Sequence, residues 1–125
     1  LRAFHFFDET ARVGEAVAAL ERDDVRAFLD ALVASGESSW KLLQNVYARS
    51  TEEQMAMGIE LSRRFLHGDG AQRVHGGGFA GTIQAYVPLD RLDDYKKLME
   101  DAFGPGSCTA LMVRPEGAVM MPMEG

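Results

Sequence analysis

Apolar residues recur every three or four positions through the first half of the chain and every second position just after residue 81. That pattern predicts helices first and strand structure later. Over Glu9–Leu20, Val13, Ala16, Val17 and Leu20 share one helical face. The Asp23-Asp24 pair is placed to cap a second helix striped by Val25, Phe28, Leu29, Leu32 and Val33, with Ser35-Gly36 as its stop. Trp40, Leu42, Leu43 and Val46 read as a short helix or irregular stretch ending near Tyr47. Ser50-Thr51-Glu52-Glu53 has the form of a capping box, opening a helix that lines up Met55, Ile59, Ser62 and Leu66. Gly68-Asp69-Gly70 stops that helix.

Over Thr82–Val87 the period falls to two, with Ile83, Ala85 and Val87 on one side and Thr82, Gln84 and Tyr86 on the other. Pro88 closes this strand. Asp90 is placed to cap a further helix that turns Leu92, Tyr95, Leu98, Met99 and Ala102 inward and ends at Phe103-Gly104. After the Gly104-Pro105-Gly106 turn, Thr109–Val113 reads as a final strand, with Ala118–Met121 continuing it or pairing back. The fold class is α+β, an antiparallel β-sheet packed against helices, in a single domain covering residues 1–125.

Charge and cysteine content narrow the function classes. A net charge of −6 with interspersed signs argues against a nucleic-acid backbone as partner, since that needs a basic face. It leaves small phosphates open, because a nest of backbone N–H groups does not require a basic protein. The single cysteine, Cys108, has no internal disulfide partner, which suits a reducing cytoplasm. No run nears the ~20 apolar residues of a membrane span, and no signal peptide opens the chain. Leu1 stands where a methionine starts most proteins, so the chain reads as a piece cut from a longer one.

Arg73–Pro88 holds the main chemical candidate. Gly76-Gly77-Gly78-Phe79-Ala80-Gly81 fits G-x-G-x-x-G literally, but a dinucleotide site needs a helix to start at the loop. Here an alternating β-branched run follows, and no Lys-Ser or Lys-Thr completes a P-loop. Two readings remain: a plain glycine turn, and a loop whose bare backbone admits an anion. Among other candidates, His5, His67 and His75 share no ligand spacing with an acidic or cysteine partner, so no metal site is expected. His5 and His67 read as surface or helix-end residues, and Cys108 as a small core residue beginning a strand. The methionines, bunched at Met120, Met121 and Met123, read as core and tail packing. Asp93-Asp94 falls at a helix start, where it favours the dipole.

The run from Arg73 to Pro88 resembles the third signature motif of the GHMP kinases, and of galactokinases in particular. Arg2-Ala3-x-His5 leading to Arg12-Val13 and Glu15-Ala16 is similar to the helix opening that family's C-terminal domain. Leu89–Gly104 and Ser107–Pro115 are similar to its later helix and closing strand. His75 stands where threonine is usual, Ala80 where glycine is commoner, and Ser35–Glu53 lacks the usual tyrosine-containing run. The family is thereby marked more closely than its sugar.

The resemblance implies a GHMP kinase C-terminal domain-like fold with a ferredoxin-like arrangement. It implies ATP and Mg²⁺ as cofactors, galactose as the sugar, and the N-terminal domain of the same kinase as partner across the active-site cleft. His75, Gly76, Gly77, Gly78, Phe79, Ala80 and Gly81 would form the phosphate- and substrate-binding loop, with Phe79 packed beneath it and Gly78→Val blocking phosphate without disturbing the fold. The base aspartate, its arginine and the nucleotide loop of the family lie upstream, so no catalytic residue is expected here and the fragment alone should be inactive. The alternative is a non-catalytic galactokinase-like sensor that binds sugar and nucleotide and signals to a protein partner.

Overall fold

A computed structural model of the chain describes residues 1–47, 49, 51–79 and 81–117. In chain order the elements are α1 (Arg2–Glu21), α2 (Val25–Ser38), α3 (Gln54–Leu66), β1 (Ala71–Val74), β2 (Ile83–Tyr86) and α4 (Leu92–Phe103). The two strands pair antiparallel, Ala71 opposite Tyr86, Gln72 opposite Ala85, Arg73 opposite Gln84 and Val74 opposite Ile83. The expected α+β class, helices backing an antiparallel sheet, is the observed one, with a sheet of two strands among the described residues.

Strand alternation sends Arg73, Gln84 and Tyr86 to one face and Val74, Ile83 and Ala85 to the other. Helix α2 covers the first: Phe28 meets Tyr86 edge-to-face with centroids 5.9 Å apart. Against the second face Val74 packs with Val46, Met55 and Ile59, with Trp40, Ala56 and Ile83 at the margin. Gly58 lets α3 come close to sheet and α4 together, since a Cβ there would lie 3.1 Å from Ile83 Cδ1 and 3.6 Å from Met99 Cε. Tyr95 and Ser62 join α4 to α3 through a buried hydroxyl–hydroxyl bond of 2.8 Å, and the Ser62 hydroxyl lies 2.6 Å from the Gly58 carbonyl.

Helix starts and stops depart from the pattern where packing outranks local signals. Asp24 caps α2 as expected, accepting from the Ala27 N–H at 3.0 Å. Gly36 does not end that helix. It lies inside α2, and a Cβ on it would sit 3.0 Å from Arg73 Cβ and 3.1 Å from the Gln72 carbonyl, so the glycine serves close approach to β1. Helix α2 then runs directly into a π-helical turn, Ser39–Leu43, closed by Gln44 at φ 61°. Ser50, the expected N-cap of the next helix, lies outside the described residues; α3 begins at Gln54 with Glu53 at its N-cap, and Glu52 N–H donates to the Arg49 carbonyl in a turn. Asp90 sits in a 3₁₀ turn, Leu89–Arg91, and does not cap α4, although Asp93 and Asp94 do occupy its first turn.

The strand expected at Thr109–Val113 does not form. Beyond Gly104 the chain folds back along α4, where the Ser107 hydroxyl donates to the Met99 carbonyl at 3.3 Å and Gly106 N–H to Glu100 at 3.2 Å. Those bonds lead it away from the sheet, leaving Leu111, Met112 and Val113 almost wholly exposed. Cys108 is accordingly a half-buried coil residue, not the start of a strand. The Ala118–Met121 expectation and the Met120, Met121 and Met123 cluster lie outside the described residues.

Helix α1 presents His5, Glu9, Arg12, Ala16 and Ala19 towards the rest of the chain, while Val13, Val17 and Leu20 are half or more exposed. His5 is therefore part of the contact with α2, its Nδ1 2.9 Å from the Ser38 hydroxyl. Among the described residues no helix is long and apolar enough to cross a membrane.

Candidate functional site: the glycine-rich hairpin loop

The hairpin between β1 and β2 carries the glycine sequence. His75 N–H donates to the Thr82 carbonyl at 3.1 Å, adding one bond to the ladder, and Gly78 N–H turns back onto the His75 carbonyl at 3.3 Å. Gly76, Gly78, Phe79 and Gly81 all have left-handed φ, at 58°, 76°, 59° and 81°. Glycine takes this region without steric cost, so the sequence at Gly76, Gly78 and Gly81 is what allows the path. Phe79 is held there by its N–H, which donates to the Asn45 carbonyl at 3.1 Å.

The loop has a packed side and an open side. A Cβ on Gly78 would lie 2.2 Å from the Asn45 carbonyl oxygen, whereas one on Gly76, Gly77 or Gly81 would meet nothing within 4 Å among the described residues. Gly78→Val therefore collides with Asn45, and the expectation that it leaves the fold undisturbed is corrected. Among the described residues the Gly76 and Gly77 N–H groups find no protein acceptor. Backbone donors without side chains in front of them form the kind of concavity that admits an anion.

The remaining loop residues fall as follows. His75 is exposed, with Nδ1 3.4 Å from Gln84 Oε1, and Gln84 Nε2 donates to the Tyr86 hydroxyl at 2.8 Å. The period-2 alternation puts Gln84 and Tyr86 on a common face, as found. Phe79 is 57% exposed and does not pack beneath the loop, because Asn45 fills that space. Ala80 lies outside the described residues.

Asn45 is the residue that the sequence pattern misses. It is 1% exposed, and its Nδ2 donates to the Gly77 carbonyl at 3.2 Å. Trp40–Tyr47 carries no clean period, and the αL bend at Gln44 that swings Asn45 under the loop has no glycine to announce it.

At the other end of β1, Arg63, Arg64, His67 and Gly68 line an open recess of about 660 Å³. Both guanidinium groups already bind Glu60, each through Nε at 2.7 Å, and together they hold its carboxyl down at about 2. Those paired charges leave the glycine loop as the better anion site. Burial raises the Cys108 thiol, and the nearby Glu100 carboxylate raises it further, which disfavours a nucleophilic thiolate. Among the described residues no group of three or more His, Cys, Asp or Glu is placed to hold a metal ion.

Fold and loop together define a class: an α+β segment whose helix-backed hairpin offers unblocked backbone donors at its bend. No protein-family model matches the chain, and neither does any solved structure. Curated relatives do match. The chain is 31% identical over 102 residues to the galactokinase of Haemophilus influenzae (strain ATCC 51907 / DSM 11121 / KW20 / Rd), a match covering 82% of this chain and 25% of that protein. With the same coverage it is 28% identical to the galactokinase of Mannheimia succiniciproducens and 30% identical to that of Glaesserella parasuis serovar 5. This chain is a homologue of the galactokinases, and it spans about a quarter of the length of the relatives it matches.

Proposed function

We propose that the chain is the C-terminal domain of an ATP-dependent, galactokinase-like sugar kinase working in the cytoplasm. In this reading it supplies one wall of the active-site cleft, and the N-terminal domain of the same kinase supplies the other. ATP with Mg²⁺ would provide the γ-phosphoryl group for the anomeric hydroxyl of galactose. The observation that carries the proposal is the open side of the hairpin, where, among the described residues, the Gly76 and Gly77 N–H groups have no protein acceptor and a Cβ on either glycine would meet nothing within 4 Å.

Phosphoryl transfer asks for positioning and for neutralisation of charge spread over oxygens, more than for covalent chemistry by the protein. Fixed backbone donors meet that need, and they are aligned before the reaction begins. Gly76 and Gly77 fit phosphate oxygens; Gly78 and Gly81 shape the bend, and His75 stands at its edge. Mg²⁺ would be held largely by the ATP phosphates and water, with one or two carboxylates of the full-length protein. The fragment by itself is then a catalytically incomplete piece.

The full-length protein, assayed for ADP release, should turn over only when galactose is supplied with MgATP. Absence of ADP release with galactose and every other hexose tried would refute the kinase reading.

A further inference from the structure

We propose that Asn45 is the positioning residue of the glycine loop, holding it so that the Gly76 and Gly77 N–H groups face the phosphoryl group being transferred; this rests on the kinase reading above.

Three contacts converge on this one side chain and its backbone. The Asn45 carbonyl accepts from Phe79 N–H at 3.1 Å, Asn45 Nδ2 donates to the Gly77 carbonyl at 3.2 Å, and its Cβ and Cγ lie beneath Gly78. The two hydrogen bonds straddle Gly78. The first fixes the peptide between Gly78 and Phe79. The second fixes the carbonyl of Gly77, and with it the Gly77–Gly78 peptide plane. Each peptide plane moves as a unit: the Gly78 N–H bond to the His75 carbonyl at 3.3 Å holds the plane that carries the Gly76 N–H, and the Gly77 N–H lies on the one plane between that and the plane Asn45 ties. Glycine residues have little torsional preference of their own, so an external brace is needed to keep the bend in one state.

Asn45 is itself rigidly held. It follows the π-helical turn and the αL residue Gln44, whose N–H donates to the Ser39 carbonyl at 2.8 Å, and Val46 beside it is buried in the core. Its Oδ1 is buried without a partner among the described residues. Leaving a buried amide oxygen unsatisfied is costly, so an asparagine in this place is not explained by packing stability alone. A residue kept for its donor, at the expense of its acceptor, fits a positioning role.

The test uses the full-length protein. Asn45→Leu keeps a neutral side chain of similar volume beneath Gly78 and removes the donor, while Asn45→Ala removes both donor and volume. Galactose-dependent ADP release, KM for galactose and the melting temperature are measured for each. Misplacing the loop should lower kcat by roughly 100-fold in both variants, with KM for galactose changed less than about threefold. Wild-type kcat in either folded variant would overturn the positioning role while leaving the kinase reading intact. Failure of both variants to fold would also overturn it, since Asn45 would then be a structural residue. Absence of turnover in the wild-type protein would remove the kinase reading first, and the positioning role with it.

Discussion

Each glycine of the loop has its own physical task. Gly78 is there because the Asn45 carbonyl occupies the space where a Cβ would be, and because φ is 76°. Gly78→Ala should therefore lower global stability by at least about 2 kcal/mol, from left-handed strain together with the collision. Denaturant unfolding of wild-type and variant checks this; equal midpoints would mean the loop relaxes freely away from Asn45. Gly77 differs, since its surroundings are open and its φ is not left-handed, so a side chain there is expected to leave the fold unchanged. The run of glycines was legible in the sequence as a special backbone. Which glycine is packed and which is open was not, because that depends on Asn45, more than thirty residues earlier and brought near only by the tertiary fold. Phe79 shows the same limit: a large apolar residue in a loop suggests burial, yet the space below had been taken.

Among the elements, α2 shows why local signals can mislead. Gly36 looked like a helix stop, and a glycine stop is a sound inference when only the chain is seen. Its real reason is the sheet face lying 3.0–3.2 Å from where its side chain would be. Alanine would recover up to about 1 kcal/mol of helix propensity and mask the clash, so valine is the cleaner probe. Gly36→Val should cost about 1–3 kcal/mol of stability by pushing α2 off β1, measurable by urea unfolding. In contrast, α3, α4 and the second strand were readable, because most of their apolar spacing coincides with the faces that pack on the core. The final strand was not readable, since bonds from Ser107 and Gly106 to α4 decide where that segment goes. Helix α3 carries a pH signature of its own. Arg63 and Arg64 hold the Glu60 carboxyl down at about 2, from an ordinary value of 4.5. A carboxyl with a lowered folded-state value stabilises above its unfolded value and loses that contribution as pH falls through the folded one. Glu60→Gln should thus be slightly less stable than wild-type above pH 4.5, with the gap closing between 4.5 and about 2. The effect is small because the pair is solvent-exposed. A gap that stays constant across that range would show that the arginines do not stabilise the ionised form.

For the chain as a whole, the proposed function makes it one part of a larger catalyst. It spans about a quarter of the galactokinases it matches, and Val13, Val17 and Leu20 lie along an outward-facing stripe of α1. The periodicity groups Val13, Ala16, Val17 and Leu20 on one face, yet Ala16 turns towards the rest of the chain and the other three outward, because polar contacts such as His5 with Ser38 face α2. The family was legible from the hairpin motif because the glycine path and the strands on either side of it are physically coupled. The catalytic base, the metal and the sugar were not legible, because the reading places them on residues beyond this stretch. What this chain is proposed to contribute is a rigid, side-chain-free mouth for phosphoryl oxygens at Gly76 and Gly77. Gly77→Val in the full-length protein addresses that contribution most directly, since a Cβ there meets nothing within 4 Å among the described residues. Galactose-dependent ADP release should fall by about 100-fold with the melting temperature unchanged. A wild-type rate at an unchanged melting temperature would show that no phosphate comes to this loop.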